Sequence, residues 1–551
     1  MNERSSGILL HATSLFNRFP IGDLGPSATD FVDFLVQSGQ RWWQMLPIGP
    51  AGEEDSPYQS MSAFAGNPLL LSPDRLMEKG YLAARDIEVS HSKDDGKADY
   101  PAAARLKLGW LKKAFANFEK KRRGDALSDF EAFVREEDFW LGDFSLFSAI
   151  REKEDTSDWS RWDGDLRTRR PDRLLSARKY FADDIRFQQF IQWQFSVQWK
   201  ELRAFCGSKG IRLMGDVPHF VAHQSADVWA HPELFKLDAG GHPTVVAGVP
   251  PDDFSKTGQL WDLPVYRWEA LQAQGYRWWI ERLRTAFGRF DANRLDHFIG
   301  FVRTFEVPSQ ALTAVQGRYQ PGGGASFFQA VREALGLLHL IADDLGVITP
   351  EVTALLDRFH IPGTKVLQFE YKSDLENGAF PQKPHPENSV IYTGTHDNDT
   401  TAGWYLKLPT AQREALQKQL GTNDRDVVWA MIREALASQS ETTLLPAQDL
   451  LELTSEARMN FPGVSEGNWR WRLKGGALSR ELAQRLRALA ESNGRSGSDG
   501  MRQALWYSEE DAKLRIEKRA YEIYEGRGRR NGQSDQDWLH AEQELKREAI
   551  R

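Results

Sequence analysis

The feature that most constrains the fold is a repeated alternation of short apolar runs with longer amphipathic stretches. The apolar runs are too short for helices and are followed by polar residues, a pattern typical of buried strands in a parallel sheet. The stretches between them repeat apolar residues at helical spacing, so the chain predicts βα units in an α/β fold. The apolar runs are 7–10, 44–47, 211–215, 337–342, 365–369 and 390–392, and the amphipathic stretches include 28–39, 187–209 and 267–287.

Four strand-like runs end directly in aspartates. One such aspartate usually caps the following helix, but four endings, two with a histidine and one with an arginine, favour a shared site. In an α/β barrel the C-terminal strand ends converge on one mouth, where active sites lie. Several carboxylates around one cavity suit glycoside chemistry, in which one attacks the anomeric carbon and another protonates the leaving oxygen. The aspartates are Asp216, Asp296, Asp343, Asp344, Asp397 and Asp399.

The alternation is interrupted twice and ends before the C-terminus. Residues from about 75 to 180 are charged and helix-rich, and residues 225–268 are loop-like with frequent glycine and proline, so both regions are predicted insertions. We expect a catalytic domain over 1–492. A Ser/Gly linker at 493–507 and a small two-helix tail at 508–551, with helices at 509–525 and 535–547, complete the predicted organisation.

Composition excludes several function classes. The 551 residues carry a formal net charge of −8, so no global positive field attracts nucleic acid or anionic membrane. The arginine run GRGRR at 526–530 is more typical of a solvated turn. The single cysteine, Cys206, excludes an intramolecular disulfide and a cysteine-based zinc site. The 19 tryptophans fit either core packing or stacking on sugar rings.

The N-terminal segment does not read as a targeting signal. Its apolar run breaks at His11, which is too short for a signal-peptide core. No stretch approaches the roughly 18 apolar residues that a membrane helix needs. We therefore expect a cytoplasmic protein without a membrane partner.

Ten long motifs between residues 7 and 473 resemble glycoside hydrolase family 77, the amylomaltases or disproportionating enzymes, and they occur in the order of that family. They are SGILLHATSL, IGDLGP, DSPYQSMSAFAGNPLLL, GDVPHFVAHQSADVW, GVPPDDFSKTGQLW, NRLDHFIG, IADDLGVITPEV, KVLQFEY, YTGTHDNDTT and SEARMNFPG with GNWRWR.

The resemblance implies a (β/α)8 TIM barrel with helical and loop insertions, and a reaction that needs no cofactor and no metal. That reaction transfers α-1,4-glucan segments between maltooligosaccharides, with glucose among the acceptors and with retention at the anomeric carbon. Asp296 falls on the family's nucleophile, Asp343 on its acid/base, and Asp397 on the third carboxylate, which stabilises the transition state.

Further positions match the family's sugar-binding residues. Arg294 lies two residues before Asp296, so both side chains point to one face of a strand and the cation would keep the carboxylate ionised. A purely structural ion pair is the alternative. The remaining matches are Asp216, His297 and His396 around the sugar, Tyr58 as a stacking floor, Trp261 on a loop over the acceptor side, and Phe369 near the acceptor.

The most serious departure from the family is Asp343, because the family has glutamate there. Aspartate is one methylene shorter, about 1.5 Å, and a misplacement of about 1 Å can cost on the order of 10²-fold in rate. Other departures lie in loops around the groove, at His11-Ala12, residues 51–54, His219, Gln224 and Asp262-Leu263. Three functions therefore stay open: an active 4-α-glucanotransferase, an α-glucan hydrolase, or a weakly active glucan-binding paralogue.

The tail resembles a different family. Its segments RAYEIYE and DWLHAE are similar to a short bacterial domain of unknown function. The tail offers no cleft and no acid/base pair, and the sequence does not indicate an oligomeric state.

Overall fold

Eight parallel strands close into a barrel, which confirms the (β/α)8 fold that the family resemblance implies. The structure is a computed structural model, which describes residues 4–52, 54–87, 96–121, 124–154, 156, 158–251, 255–377, 385–496, 519–521, 523–524, 537–538 and 540–541. Around the barrel the strand order is β1-β2-β3-β6-β9-β10-β11-β12, with β12 pairing back to β1. The barrel strands are β1 Ser5–Leu9, β2 Trp42–Gln44, β3 Arg212–Val217, β6 Ala292–Leu295, β9 Leu340–Ala342, β10 Gly363–Val366, β11 Ser389–Tyr392 and β12 Thr442–Pro446.

Side chains fill the barrel interior, so it is a packed core below the mouth. Trp42 is the largest of them, and Gly7 on the neighbouring strand makes room for it, since a Cβ at Gly7 would lie 2.4 Å from the Trp42 Cβ. An interior filled by inward-facing side chains is typical of TIM barrels. The interior cluster comprises Trp42, Met214, Ala292, Ile341, Val366, Val390, Tyr392 and Leu444.

Helices surround the barrel and return the chain from one strand to the next. The longest, α8, covers 27 residues before β3 and buries aromatic side chains along its length. The helices are α1 Pro26–Gln37, α2 Pro73–Glu78, α3 Tyr100–Lys120, α4 Asp125–Glu136, α5 Asp138–Arg151, α6 Gly164–Arg167, α7 Pro171–Tyr180, α8 Ala182–Ser208, α9 Ala226–Ala230, α10 Trp268–Ala273, α11 Arg277–Arg289, α12 Ile299–Val302, α13 Gly324–Leu335, α14 Pro350–Phe359, α15 Leu367–Asn377, α16 Thr401–Lys407, α17 Thr410–Leu420, α18 Val427–Ala437, α19 Ala447–Leu450 and α20 Arg480–Ser492.

The first insertion is helical, in agreement with the sequence. Residues 75–180 take in α3–α7 and most of α2, and all of them lie between β2 and β3. Helices α5 and α8 pack closely together, so the insertion shares the main hydrophobic core.

The second insertion is not the loop that its glycines and prolines predicted. Residues 225–268 contain β4 Val245–Val249 and β5 Gln259–Pro264, which join β7 Arg303–Pro308 and β8 Arg318–Pro321 in an antiparallel sheet. The register between β4 and β5 shifts between Val246 and Gly248. Because glycines are compatible with such a bulge, they hide a strand from sequence patterns.

The last described helix of the main domain, α20, packs against α1 and α18. Ser479 caps α20 by accepting a hydrogen bond from the Leu482 N–H, and Gly494 follows the helix with φ +63°. Arg495, in the predicted linker, is fully buried. The rest of the linker, from 497 to 507, and the GRGRR turn lie outside the described residues, as does most of the predicted two-helix tail. The described tail residues, 519–521, 523–524, 537–538 and 540–541, are helical.

Among the described residues, no helix combines the length and apolar character needed to cross a membrane.

The structure also corrects three details of strand placement. The second strand lies at Trp42–Gln44, ahead of 44–47, and residues 367–369 begin α15. Strand β12 was missed, because TTLLP carries only two large apolar residues.

Candidate active site

Three neighbouring strands place their aspartates at one mouth. Asp216 lies near the end of β3, Asp296 directly follows β6, and Asp343 directly follows β9. The register pairs Asp216 with Arg294, so these two inward side chains are neighbours across β3 and β6. Because all eight strands run parallel, their C-terminal ends share this side of the barrel.

Arg294 joins the three carboxylates. Its Nη1 donates to Asp216 Oδ2 at 2.7 Å and to Asp296 Oδ1 at 3.0 Å. Its Nη2 lies 2.9 Å from Asp343 Oδ2. The Arg294 side chain is 4% exposed and that of Asp296 is 25% exposed, so the cation lies beneath a carboxylate that the cleft can reach. A planar guanidinium suits this arrangement because its donors diverge in a fixed fork.

The cluster carries more negative charge than its arginine balances. Burial, together with Asp216, Asp343 and Asp397, outweighs Arg294 and raises the pKa of Asp296 to about 7. Burial also raises the pKa of Asp216, and the surrounding carboxylates hold the pKa of Arg294 well above its usual value. Asp296 therefore exchanges its proton near neutral pH, which is typical of catalytic groups.

Asp343 is tied to the segment that carries Asp296. Its Oδ2 accepts a hydrogen bond from the His297 N–H at 3.1 Å, in addition to the contact with Arg294. His297 has φ +49°, a left-handed conformation that costs a histidine on the order of 1 kcal/mol. The other oxygen of Asp343, Oδ1, is buried and has no hydrogen-bond partner among the described residues.

A second cluster lies after β11. His396 Nε2 is 3.3 Å from Asp397 Oδ2, and Asn460 Nδ2 donates to Asp397 Oδ1 at 2.6 Å. Arg458 donates to the main-chain carbonyls of Asp397 and Asn460. The pair with Asp397 raises the pKa of His396 despite its burial, and His396 and Asn460 together lower that of Asp397. Asp397 is therefore fully ionised at neutral pH, whereas Asp296 is only partly ionised.

Tyr58 connects the two clusters. Its ring is stacked on His396 with 5.1 Å between ring centroids, and its hydroxyl donates to Asp216 Oδ2 at 2.9 Å. Trp469 lies against both rings, at 5.6 Å from Tyr58 and 6.0 Å from His396. These flat side chains give the mouth an aromatic wall on the β11 side.

A second aromatic group packs on His297. Trp261 meets the His297 ring edge-on at 4.9 Å, and Phe220 lies 6.1 Å from both rings. Trp261 lies on β5, so the predicted loop position is corrected to a strand of the antiparallel sheet. Burial lowers the pKa of His297 to about 4, so its imidazole is neutral at pH 7.

The other predicted positions are not joined to these clusters. Phe369 lies in the first turn of α15 with 46% of its surface exposed. Asp344 accepts a hydrogen bond from the Thr364 N–H, and Asp399 binds Ser455 and Lys407. The last two aspartates therefore stabilise local structure, although neither contact is the helix cap that an aspartate at a strand end usually forms.

Sequence reasoning missed four residues of the site. Asn460, Arg458 and Trp469 come from the segment after the barrel, and Phe220 from the loop after β3. Their motifs were recognised as family segments, but no spacing relates residue 460 to residue 397. Within the described ranges no group of three or more His, Cys, Asp or Glu side chains is arranged to hold a metal ion.

Residues 514–547 match a second family, described as a protein of unknown function (DUF2934). That match agrees with the resemblance of the tail and does not overlap the barrel.

Comparisons with known proteins identify the family of the chain. The family described as 4-alpha-glucanotransferase, glycoside hydrolase family 77, matches residues 10–479. The 4-alpha-glucanotransferase of Thermus thermophilus is 45% identical, covering 89% of this chain and 99% of that protein. The Synechocystis enzyme of the same name is 43% identical, covering 90% and 99%. The solved amylomaltase of Streptococcus agalactiae in complex with acarbose is 35% identical with a TM-score of 0.86, covering 90% of this chain and 100% of that one. The chain therefore belongs to glycoside hydrolase family 77, the 4-alpha-glucanotransferases.

Proposed function

We propose that the protein is a 4-α-glucanotransferase that moves α-1,4-glucan segments between maltooligosaccharides by a retaining double displacement. The observation that carries the proposal is the single guanidinium of Arg294, which contacts both Asp296 and Asp343. Retaining enzymes need their two carboxyl groups only about 5–5.5 Å apart. Two carboxylates bound to one guanidinium fit that close spacing.

Asp296 is the proposed nucleophile. Arg294 binds one oxygen of Asp296, and the Asp296 side chain, which is 25% exposed, faces the cleft. In the first step an Asp296 oxygen attacks the anomeric carbon, the glycosidic bond breaks, and a covalent glycosyl–enzyme ester forms. The ionised form needed for attack is available because the pKa of Asp296 is raised only to about 7.

Asp343 is the proposed acid/base. It gives a proton to the departing 4-hydroxyl oxygen in the first step. In the second step it takes the proton of an incoming 4-hydroxyl, which displaces Asp296 and restores the α configuration. The proton that Asp343 gives to the leaving oxygen in the first step is replaced by the proton that it takes from the incoming hydroxyl in the second step.

The second cluster supplies electrostatic stabilisation. Asp397 is anchored by Asn460 and His396, so its charge is preorganised beside the anomeric centre, where positive charge develops. His396, Asp216 and Arg294 are proposed to hold the sugar bound at this centre. Tyr58 would lie against its apolar face.

The aromatic side chains favour transfer over hydrolysis. Trp261, Phe220 and His297 form one contact group beside Asp343, on the side proposed for the acceptor. Side chains packed in this way keep water from the covalent intermediate until a sugar hydroxyl arrives. Phe369 is assigned to the outer acceptor region because its ring is exposed. We assign no cofactor or metal to these steps and propose a cytoplasmic location.

Product analysis on maltotriose tests the proposal. Transfer releases glucose and builds longer maltooligosaccharides without increasing the number of reducing ends. Hydrolysis increases that number with every cut. Reducing-end increase without longer products would replace the transferase with an α-glucan hydrolase, and Asp296→Asn serves as the inactive control.

The shortened acid/base favours one second candidate. Since Asp343 carries one methylene less than the family's glutamate, a weakly active glucan-binding protein is the alternative. Tight binding of maltooligosaccharides with negligible turnover, measured by calorimetry and product analysis together, would establish it.

A further inference from the structure

The hydrogen bonds of Asp343 conflict with the role of a proton donor. A general acid must hold its proton on an oxygen that faces the leaving group. Asp343 Oδ2 already accepts the His297 N–H at 3.1 Å and lies 2.9 Å from the cationic Arg294 Nη2. Both donors occupy the positions on this oxygen where a proton would lie.

The other oxygen is not a ready substitute. Asp343 Oδ1 is buried without a hydrogen-bond partner among the described residues. The main chain restricts the group as well, because the Asp343 N–H donates to the Leu295 carbonyl at 3.1 Å. The side chain has one methylene to bridge the distance between this anchored backbone and the sugar.

We propose that Arg294 and the His297 N–H retain the short carboxylate of Asp343, so that proton donation limits cleavage and the active site favours donors whose leaving group departs without a proton. The substrate class is α-glucosyl donors with stable anionic leaving groups, of which glycosyl fluorides are the simplest. This inference rests on the proposed function, since it assigns Asp296 as the nucleophile.

The step balances without general acid catalysis. An Asp296 carboxylate oxygen forms a bond to the anomeric carbon, the carbon–fluorine bond breaks with its electron pair, and fluoride leaves as the anion. With maltotriose, the leaving 4-oxygen would depart as a strongly basic alkoxide unless Asp343 protonates it. The two donors transfer the same maltosyl group and differ only in this requirement.

The test compares kcat/KM for α-maltosyl fluoride and maltotriose in the natural protein and in Asp343→Glu. This parameter reports the steps up to bond cleavage. The longer side chain restores reach toward the leaving oxygen, so we expect the variant to increase the maltotriose value at least 10-fold more than the fluoride value. Asp357→Glu, the same change at an exposed position of α14, should leave the ratio unchanged.

Azide provides a second readout in the natural protein. It attacks the glycosyl–enzyme without needing a base, displaces Asp296 and yields a maltosyl azide of retained configuration. We expect azide to increase the turnover of α-maltosyl fluoride at least 5-fold. An equal gain for both donors in Asp343→Glu, or no gain for either, overturns the inference.

The outcomes separate this inference from the proposed function. Rapid maltotriose disproportionation by the natural protein, unchanged in Asp343→Glu, overturns the inference and leaves the transferase in place. No reaction of any protein variant with either donor would overturn the transferase itself.

Discussion

Two arginines are buried at opposite ends of the same barrel, with different partners. Arg294 lies under the C-terminal mouth and contacts three carboxylates. Arg495 lies under the N-terminal ends of β1 and β12, is 0% exposed, and donates to main-chain carbonyls, including those of Leu436, Ser5 and Ser440.

The comparison shows that a buried arginine can either stabilise the fold or hold carboxylates that react. At the lower end a cation satisfies carbonyl groups that would otherwise be buried without donors, so the arrangement favours folding. At the mouth one cation serves three acids, and the excess negative charge raises the pKa of Asp296 to about 7. The mouth therefore gives up stability for a carboxylate that can react, a common trade at active sites.

The largest effect is expected from Asp296→Asn, which should lower activity and raise stability at the same time. Without the nucleophile, turnover of maltotriose should fall about 10⁴-fold or more. The free energy of unfolding at pH 8 should rise by on the order of 1 kcal/mol, because one buried negative charge is removed. Initial rates and thermal melts measure the two effects. A destabilised variant would mean that Asp296 serves the fold.

Arg294→Lys tests whether the mouth needs a fork of donors. A lysine keeps the charge but cannot bridge three carboxylates in fixed geometry. We expect kcat on maltotriose to fall about 10²- to 10³-fold while the protein stays folded. Circular dichroism checks the fold, and retention of activity within about 3-fold would show that charge alone suffices.

Arg495→Lys is the matched change at the other end. Fewer donors would leave buried carbonyls unsatisfied, so stability should fall by about 2 kcal/mol. The kcat of the folded protein should stay unchanged, since Arg495 contacts the opposite end of the strands. Urea midpoints and rates measure this, with Arg480→Lys, an exposed position of α20, as the control. Loss of kcat would break the comparison.

The pH profile sharpens the same contrast. With α-maltosyl fluoride, which needs no proton from Asp343, the only requirement is that Asp296 is ionised, so log kcat/KM for this donor should fall with unit slope below about pH 7 and level off above it. The contribution of Asp296 to stability changes with pH in the opposite direction to its contribution to activity. Because the folded-state pKa of Asp296 exceeds its ordinary value of 3.8, the folded protein binds more protons between these values. The contribution of Asp296 to stability therefore declines as the pH rises through this window. In Asp296→Asn the melting temperature should therefore decline less between pH 5 and pH 8 than it does in the natural protein.

The smallest effect is expected at Asp262, one of the positions that depart from the family pattern. Asp262 has φ +54°, the left-handed conformation that glycine adopts freely, and it is exposed at the rim beside Trp261. In Asp262→Gly the relief of strain and the greater entropy of the unfolded chain should nearly cancel. We expect a change within about 0.5 kcal/mol, measured by thermal melts. A larger loss would show that the aspartate side chain stabilises the rim.

The carboxylates were predictable because strand ends in a barrel converge. Asp216, Asp296 and Asp343 could be assigned to one mouth from the apolar runs that precede them. The division of labour between Asp343 and Asp344 was not predictable from spacing, since adjacent aspartates look alike until Thr364 is seen to bind one of them. Asn460 was also out of reach, because it meets Asp397 only through the folded segment after the barrel.

The sequence by itself determined the α/β alternation, the acidic strand ends and the family, because periodicity and motifs are local properties of the chain. The tertiary structure decided which donors each acid meets, and so which carboxylate is ionised at neutral pH. It also decided that Asp343 is held by Arg294 and His297, and that Arg495 is a structural residue. Hydrogen bonds between distant segments and burial set these properties, and neither is encoded at a fixed spacing.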